Sequence, residues 1–360
     1  MKIKLQHFNE LDGVRAIAAL MVMFFHFFKE FTATDKLLVL IQKVAVFGQT
    51  GVSLFFVLSG FLITRILINT KTTPNFFYNF YLRRTVRIFP LYYLFLIIYF
   101  FVVPALEHTQ IVPFNEQIYF WVYLQNIGMT FNWNLSGPNH YWSLAVEEHF
   151  YMIWPLLVYY LNKKGIKIAI FGIIIMALIT RVLLINNGYG VFYFTFARVD
   201  ELALGALLAI WEINGKLKPE NSKKFLLLAL TALVPTILLW TVTGGKGLDI
   251  IQITKFILLS LCYLGLIGWL ITVNETNIFK KSLKHKWLSY TGKISYGLYV
   301  YHPLCFMLIK KHLQPDNILL YFILCFASAF ILASLSYHLF ESKFLHLKKY
   351  FEYNTSKQTA

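Results

Sequence analysis

The chain has 360 residues, 58% of them hydrophobic and only 14% charged, with a mean hydropathy of +0.60. An average soluble domain carries about 25% charged residues, so the composition excludes an ordinary soluble enzyme and points to a bilayer. The formal net charge of +16 invites a nucleic-acid partner. However, the cations collect in alternate short loops between apolar runs, and the positive-inside rule accounts for them without a polyanion.

Apolar runs near twenty residues recur along the chain and are continuous, not alternating. This predicts an all-α polytopic membrane protein and argues against a β-barrel. The first run contains Arg15 and His26 and no small-residue cleavage site, so it reads as a retained span, not a signal peptide. With the N-terminus in the cytoplasm, about ten spans follow: 11–31, 51–69, 88–104, 140–161, 166–185, 198–212, 224–242, 250–273, 294–310 and 317–340. Both termini are then cytoplasmic in a multi-pass inner-membrane protein. A basic loop falls at 70–87 and a long outer segment at 105–139. One membrane domain covers 8–342, a short basic cytoplasmic tail covers 343–360, and no appended soluble domain is expected. Cys262, Cys305 and Cys325 lie in apolar segments; neither a disulfide framework nor a metal-ligand spacing is present.

In span one, Arg15 and His26 are eleven residues apart. At roughly 100° per residue they return to within about 20° of one helix face, about 16 Å apart along the axis. Ionisable groups inside a bilayer are costly and face a bundle interior, so Asp12, Arg15 and His26 predict a polar cavity. In span two, Ser53, Ser59 and Gly60 allow a helix or slender ligand to approach closely. In the loop, FYLRRTVRIFP puts Arg83 and Arg87 on one helical face with Arg84 beside them. These arginines either set topology and bind anionic lipid, or grip a phosphorylated ligand through planar bidentate contacts. Pro90 is expected near the start of span three.

The outer segment carries Trp121, Tyr123, Asn126, Asn132 and Trp133, which suit either sugar stacking or a membrane interface. Span four reads HYWSLAVEEHFYMIWP. Ser143 and Glu147 share a face, and Glu148 sits about 100° round from Glu147. Paired carboxyls in a span predict a catalytic or proton-handling group, with Glu147 the leading choice. In span six, Arg198, Asp200 and Glu201 occupy the first turn, where acids also suit the helix dipole, and Gly205 with Ala209 suits close packing. In span nine, Tyr299 and His302 precede Pro303 and are expected on the opposite cavity wall. No Walker A loop, GxGxxG or HExxH occurs, nor a GxSxG elbow.

The blocks LDGVRAIAALMVMFFH, FFVLSGFLI, FYLRRTVRIFP, HYWSLAVEEHFYMIWP, RVDELALGALLA and YGLYVYHPL together resemble the acyltransferase 3 family, in the family's order, over about 8–342. Tyr301 stands where the family block resembles one with Trp. The resemblance implies transfer of an acyl group, commonly acetyl from cytoplasmic acetyl-CoA, to a hydroxyl of a carbohydrate or lipid-linked glycan. No permanently bound cofactor is implied. Some family members carry an esterase-like domain that completes transfer. Here, either the membrane domain acylates the acceptor directly or a separate acyl-handling partner finishes the step. On this reading Arg83, Arg84 and Arg87 hold the CoA phosphates, and Arg15 stabilises CoA or organises the cavity. His26 is a general base or an acyl carrier, with Glu147 orienting it or handling the acceptor proton. Asp12, Ser59, Ser143, Glu148, Arg198, Asp200, Tyr299 and His302 would line the cavity. The rival reading is a transporter or proton-coupled carrier using the same buried charges, although no internal repeat of the kind many transporters show is visible.

Overall fold

The computed structural model describes residues 7–29, 35–243, 249–315 and 317–353. Residues 30 and 31 of the first expected span and 354–360 of the expected tail lie outside the described residues. Among the described residues the chain is all-helical, without a strand. The principal helices are α1 Glu10–Lys29, α2 Lys36–Val46, α3 Gly51–Thr70, α4 Phe76–Ile97, α5 Trp142–Tyr160, α6 Lys163–Asn186, α7 Val199–Ile213, α8 Ser222–Thr243, α9 Asp249–Thr272, α10 Lys286–Lys293, α11 Ser295–His312 and α12 Ile318–Ser336. Side-chain caps set several starts. Asn162 accepts from Gly165 N at the head of α6, and Asn317 accepts from Leu319 N and Leu320 N at the head of α12, each satisfying an otherwise orphaned donor.

Helices occupy all ten expected positions, but among the described residues only seven stretches are long and apolar enough to cross a membrane by length and composition. The other three are α5, α7 and α11. These helices carry the polar residues and are sheltered by their neighbours. In α7 every residue from Val199 to Ile210 is buried, so its surroundings are protein, not lipid. The lipid-compatible faces lie outside. In α6, Ile168, Phe171, Ile175, Ile179 and Leu183 are exposed, while Ile170, Ala177, Arg181 and Leu184 point inward. The chain is a multi-pass membrane protein.

Two close helix contacts organise the centre. A Cβ on Gly60 of α3 would stand 1.9 Å from the Leu202 carbonyl, and one on Gly205 of α7 would stand 2.0 Å from the Val57 carbonyl. The two backbones therefore interlock reciprocally through small residues. The head of α1 is pinned likewise: Gly13 abuts the Leu283 carbonyl and Gly292 of α10 abuts the Asp12 carbonyl. Buried Glu10 pairs there with Lys280 at 3.4 Å and Lys284 at 3.6 Å. Some loop cations thus serve packing as well as topology.

Two expectations change here. The stretch read as a loop at 70–87 is largely helical: α4 begins at Phe76, so all three arginines ride on it and Pro90 lies inside the helix, not near its start. Beyond α12, the chain turns through Tyr337–Glu341 and Ser342–His346 into Leu347–Phe351, which returns onto α4. As far as Tyr353, the expected tail is docked.

Candidate active site

A cavity of about 420 Å³ opens between α1, α3, α4, α5 and α11. Its walls bring together many of the expected residues: Arg15, Ser59, Arg84, Arg87, Ser143, Glu147, Glu148 and Tyr299. Asp12 stands behind Arg15 and pairs with it one helical turn away, fixing the guanidinium's direction. Arg84 lies 5.5 Å from the Tyr151 ring centroid, a cation–π contact that costs little solvation. Among the described residues no carboxylate lies within ion-pair distance of Arg84 or Arg87. Tyr151 hydrogen bonds to Ser59 beside the glutamates. Both carboxyl side chains line the cavity. The Glu148 Oε1 atom is buried with no hydrogen-bond partner, a costly arrangement for a polar atom.

At the far end of the cavity Tyr299 hydrogen bonds to Ser143 at 2.5 Å and donates to the His140 carbonyl at 2.7 Å. Behind it lie three imidazoles. His26 Nδ1 and His302 Nε2 are 2.8 Å apart, and His302 Nδ1 is 2.9 Å from the Leu298 carbonyl. His140 Nε2 is 3.1 Å from the Val300 carbonyl, with its ring 5.7 Å from that of His302. Pro303 lacks an N–H and leaves the carbonyl four residues back without its helical donor. The imidazole of His302, one residue earlier, bonds the neighbouring Leu298 carbonyl.

This chain of contacts assigns the tautomers. A carbonyl only accepts, so His302 Nδ1 carries the proton and its Nε2 carries the lone pair. His26 Nδ1 must then donate, which leaves His26 Nε2 unprotonated and without another partner among the described residues. His26 hydrogen bonds to His302 and not to Glu147, and both imidazoles stand behind the cavity wall.

Three other expected residues, Asp200, Arg198 and Arg83, fall outside the cavity. Asp200 accepts from Arg181 Nη2 at 2.6 Å on both oxygens, and neither residue is exposed to solvent. Arg181 also donates to the Ala197 and Ile253 carbonyls, tying α6 to α7 and α9. Arg198 donates to Glu201 at 2.5 Å and to the Phe192 carbonyl at 2.8 Å, within a ring of Phe56, Trp142, Phe192 and Phe256. Both pairs are structural. Arg83 turns away to the Lys348 carbonyl at 2.9 Å and the Phe351 carbonyl at 3.2 Å. In the outer segment, Asn126 is consumed by Thr195 and the Tyr193 carbonyl, Trp121 by Gln117, and Tyr123 by stacking on Tyr92. Trp133 remains exposed.

Sequence reasoning missed His140, Tyr151 and Arg65; Tyr151 and Arg65 line the cavity, and Arg65 pairs with Glu212 at 2.7 Å. Their signal is tertiary. Only the position of His140 at the head of span four, one turn before Ser143, hinted at it.

A shielded polar cavity inside a helical membrane bundle, lined by cations at one end and backed by ordered imidazoles at the other, defines an integral-membrane transferase or carrier. The choice falls to the first, because the chain belongs to the acyltransferase 3 family, whose model, described as an acyltransferase domain, matches residues 8–338. The chain is 28% identical over 355 residues to the peptidoglycan O-acetyltransferase OatA of Listeria monocytogenes, covering 92% of this chain and 55% of that protein. It is 26% identical over 354 residues to the O-acetyltransferase OatA of Staphylococcus aureus, covering 92% and 56%. The chain thus spans about half the length of the curated relatives it matches. No solved structure matches it.

Proposed function

We propose that the protein is a membrane O-acetyltransferase that moves an acetyl group from cytoplasmic acetyl-CoA to a hydroxyl of a surface glycan. The observation that carries this reading is the hydrogen-bonded relay Leu298–His302–His26 behind a cation-lined cavity. The relatives' names support a glycan hydroxyl as acceptor. The donor enters from the basic, cytoplasmic side of the inner membrane. Arg15, Arg84 and Arg87 bind its phosphates, and the pantetheine arm runs along the cavity towards Tyr299. One helix face separates Arg15 from His26 by about 16 Å, a span suited to that arm.

His26 Nε2 takes the proton from the acceptor hydroxyl as the oxygen attacks the thioester carbonyl. The carbon–sulfur bond breaks, and the CoA thiolate takes the proton from the His26 imidazolium, which frees Nε2 again. Until then the imidazolium is stabilised by donating through Nδ1 to His302. Glu148, on the cavity wall, accepts a hydrogen bond from a second hydroxyl of the glycan. The membrane domain runs over about 8–342.

His26→Ala tests the reading. It should abolish acetyl-CoA-dependent labelling of the glycan, with membrane insertion and folded yield unchanged. Near-normal labelling would remove His26 from the chemistry.

A further inference from the structure

The returning C-terminal segment places a fifth cation beside the arginines, and nothing in the reaction described above uses it. Residues Leu347–Phe351 lie against α4. Arg83 clasps the Lys348 and Phe351 carbonyls, Asn79 donates to the Glu352 carbonyl at 3.2 Å, and the Arg83 guanidinium lies 5.5 Å from the Tyr353 ring centroid. Tyr78 and Phe351 meet edge to face at 5.9 Å. The segment is thus held at several points along its length. The residue so delivered, Lys348, is partly buried and lies outside the cavity lining, with its backbone carbonyl on Arg83, which is one residue from Arg84 and four from Arg87 on α4.

Among the described residues no carboxylate lies within ion-pair distance of Lys348, Arg84 or Arg87. Asp12 pairs with Arg15, and Glu147 and Glu148 share the cavity with Arg84 and Arg87, but cations held beyond ion-pair distance of any carboxylate still repel one another and lose hydration. A multiply charged anion removes both costs, and phosphate oxygens accept from ammonium and guanidinium alike.

We infer that Lys348 is a ligand for a phosphate group of the acyl-CoA donor, delivered to the site by the docked C-terminal segment, with Arg83 as the positioning residue that clamps that segment. The inference rests on the donor reading above. CoA offers a pyrophosphate and a 3′-phosphate, enough anionic groups to engage the Arg15, Arg84 and Arg87 walls and the lysine together. An anionic lipid headgroup offers the same phosphate chemistry, so the test separates the two.

The experiment measures CoA affinity by titration calorimetry on the full chain in nanodiscs of phosphatidylcholine alone. Lys348→Gln should raise Kd about tenfold, the effect of one charge-assisted contact, and Lys348→Arg should restore most of it. Acetyl-pantetheine, which lacks the phosphates, should bind wild type and Lys348→Gln equally. Arg83→Ala should raise Kd for CoA, and adding Lys348→Gln to it should have little further effect, a non-additivity that general loosening of the fold would not produce.

Unchanged CoA affinity in Lys348→Gln beside a weakened Arg87→Ala overturns the inference and leaves the donor reading standing. Unchanged affinity in both variants overturns the donor reading and the inference with it. Loss of phosphatidylglycerol binding with intact CoA affinity assigns the lysine to a lipid headgroup and likewise overturns the proposal. Should Lys348→Gln lower the folded yield, Lys348→Met carries the same comparison.

Discussion

Replacing His302 with phenylalanine tests the relay directly. The substitution keeps an aromatic ring of similar size in a fully buried position and removes the acceptor that lies 2.8 Å from His26 Nδ1. That N–H then has no partner in the folded geometry. Leaving a buried donor unsatisfied costs about 1–3 kcal/mol. The cost is escaped if the His26 ring turns or changes tautomer, and either movement withdraws the Nε2 lone pair from the reacting position. At 1.36 kcal/mol per decade, kcat should fall by roughly 5- to 150-fold. The KM for acetyl-CoA should stay near its wild-type value, because the arginines stand at the other end of the cavity. His302→Gln restores an acceptor oxygen within reach of Nδ1 and should recover much of the loss. The assay is transfer of labelled acetyl groups to glycan in proteoliposomes at saturating donor. The reasoning fails if His302→Phe turns over within about twofold of wild type while His26→Ala is inactive.

Three other outcomes are expected. Glu148→Gln removes the charge from a hydrogen-bond acceptor for the glycan and should lower kcat/KM by roughly tenfold, and more than Glu147→Gln does; the reverse order of the two variants in the same assay would reassign the role. Asp200→Asn leaves the fully buried Arg181 without its counter-charge and should destabilise the fold by about 3–5 kcal/mol, measured as a lowered thermal midpoint in detergent, while turnover per folded molecule is retained. Gly205→Leu drives a side chain into the Val57 carbonyl, so the α3–α7 pair must separate. A stability loss beyond the usual 1–3 kcal/mol of over-packing should appear as reduced monodisperse yield by size-exclusion chromatography.

The parts of the site that were legible in the sequence are those carried by a single helix. Arg15 and His26 declare themselves because helical geometry alone puts positions eleven apart on one face, and a membrane makes each of them expensive. Ser143 and Glu147 follow the same logic. Pairings between helices were not legible. Nothing local links Arg181 to Asp200, nineteen residues away on another helix, so Asp200 reads as a cavity group when it is held in a buried ion pair; the Arg198–Glu201 pair, three residues apart, was within reach of the sequence. Hydropathy likewise ranks a span by its affinity for lipid. The helices α5 and α11 carry polar residues on protein-facing stretches and α7 is only 15 residues long and buried along its first twelve, so a criterion of length and hydropathy passes over them. The polar start of α4 read as loop because YNFYLRRTVR has the composition of one, and its helicity comes from continuity with the apolar turns that follow. The docking of Leu347–Phe351 rests on backbone carbonyls meeting Arg83, and carbonyls leave no mark on sequence.

The burial of α7 bears on how the chain is made. A helix that carries Asp200 and Glu201 and presents protein-facing residues from Val199 to Ile210 gains little by partitioning alone into hydrocarbon. Its stable place exists only once α3 offers the groove beside Gly60 and α6 and α9 surround Arg181. Since α9 is synthesised after α7, the nascent chain must hold α7 in a provisional position until at least residue 272 has emerged. Assembly is then a late event after insertion, and a ribosome-stalled chain ending before α9 would present α7 as a substrate for membrane quality control.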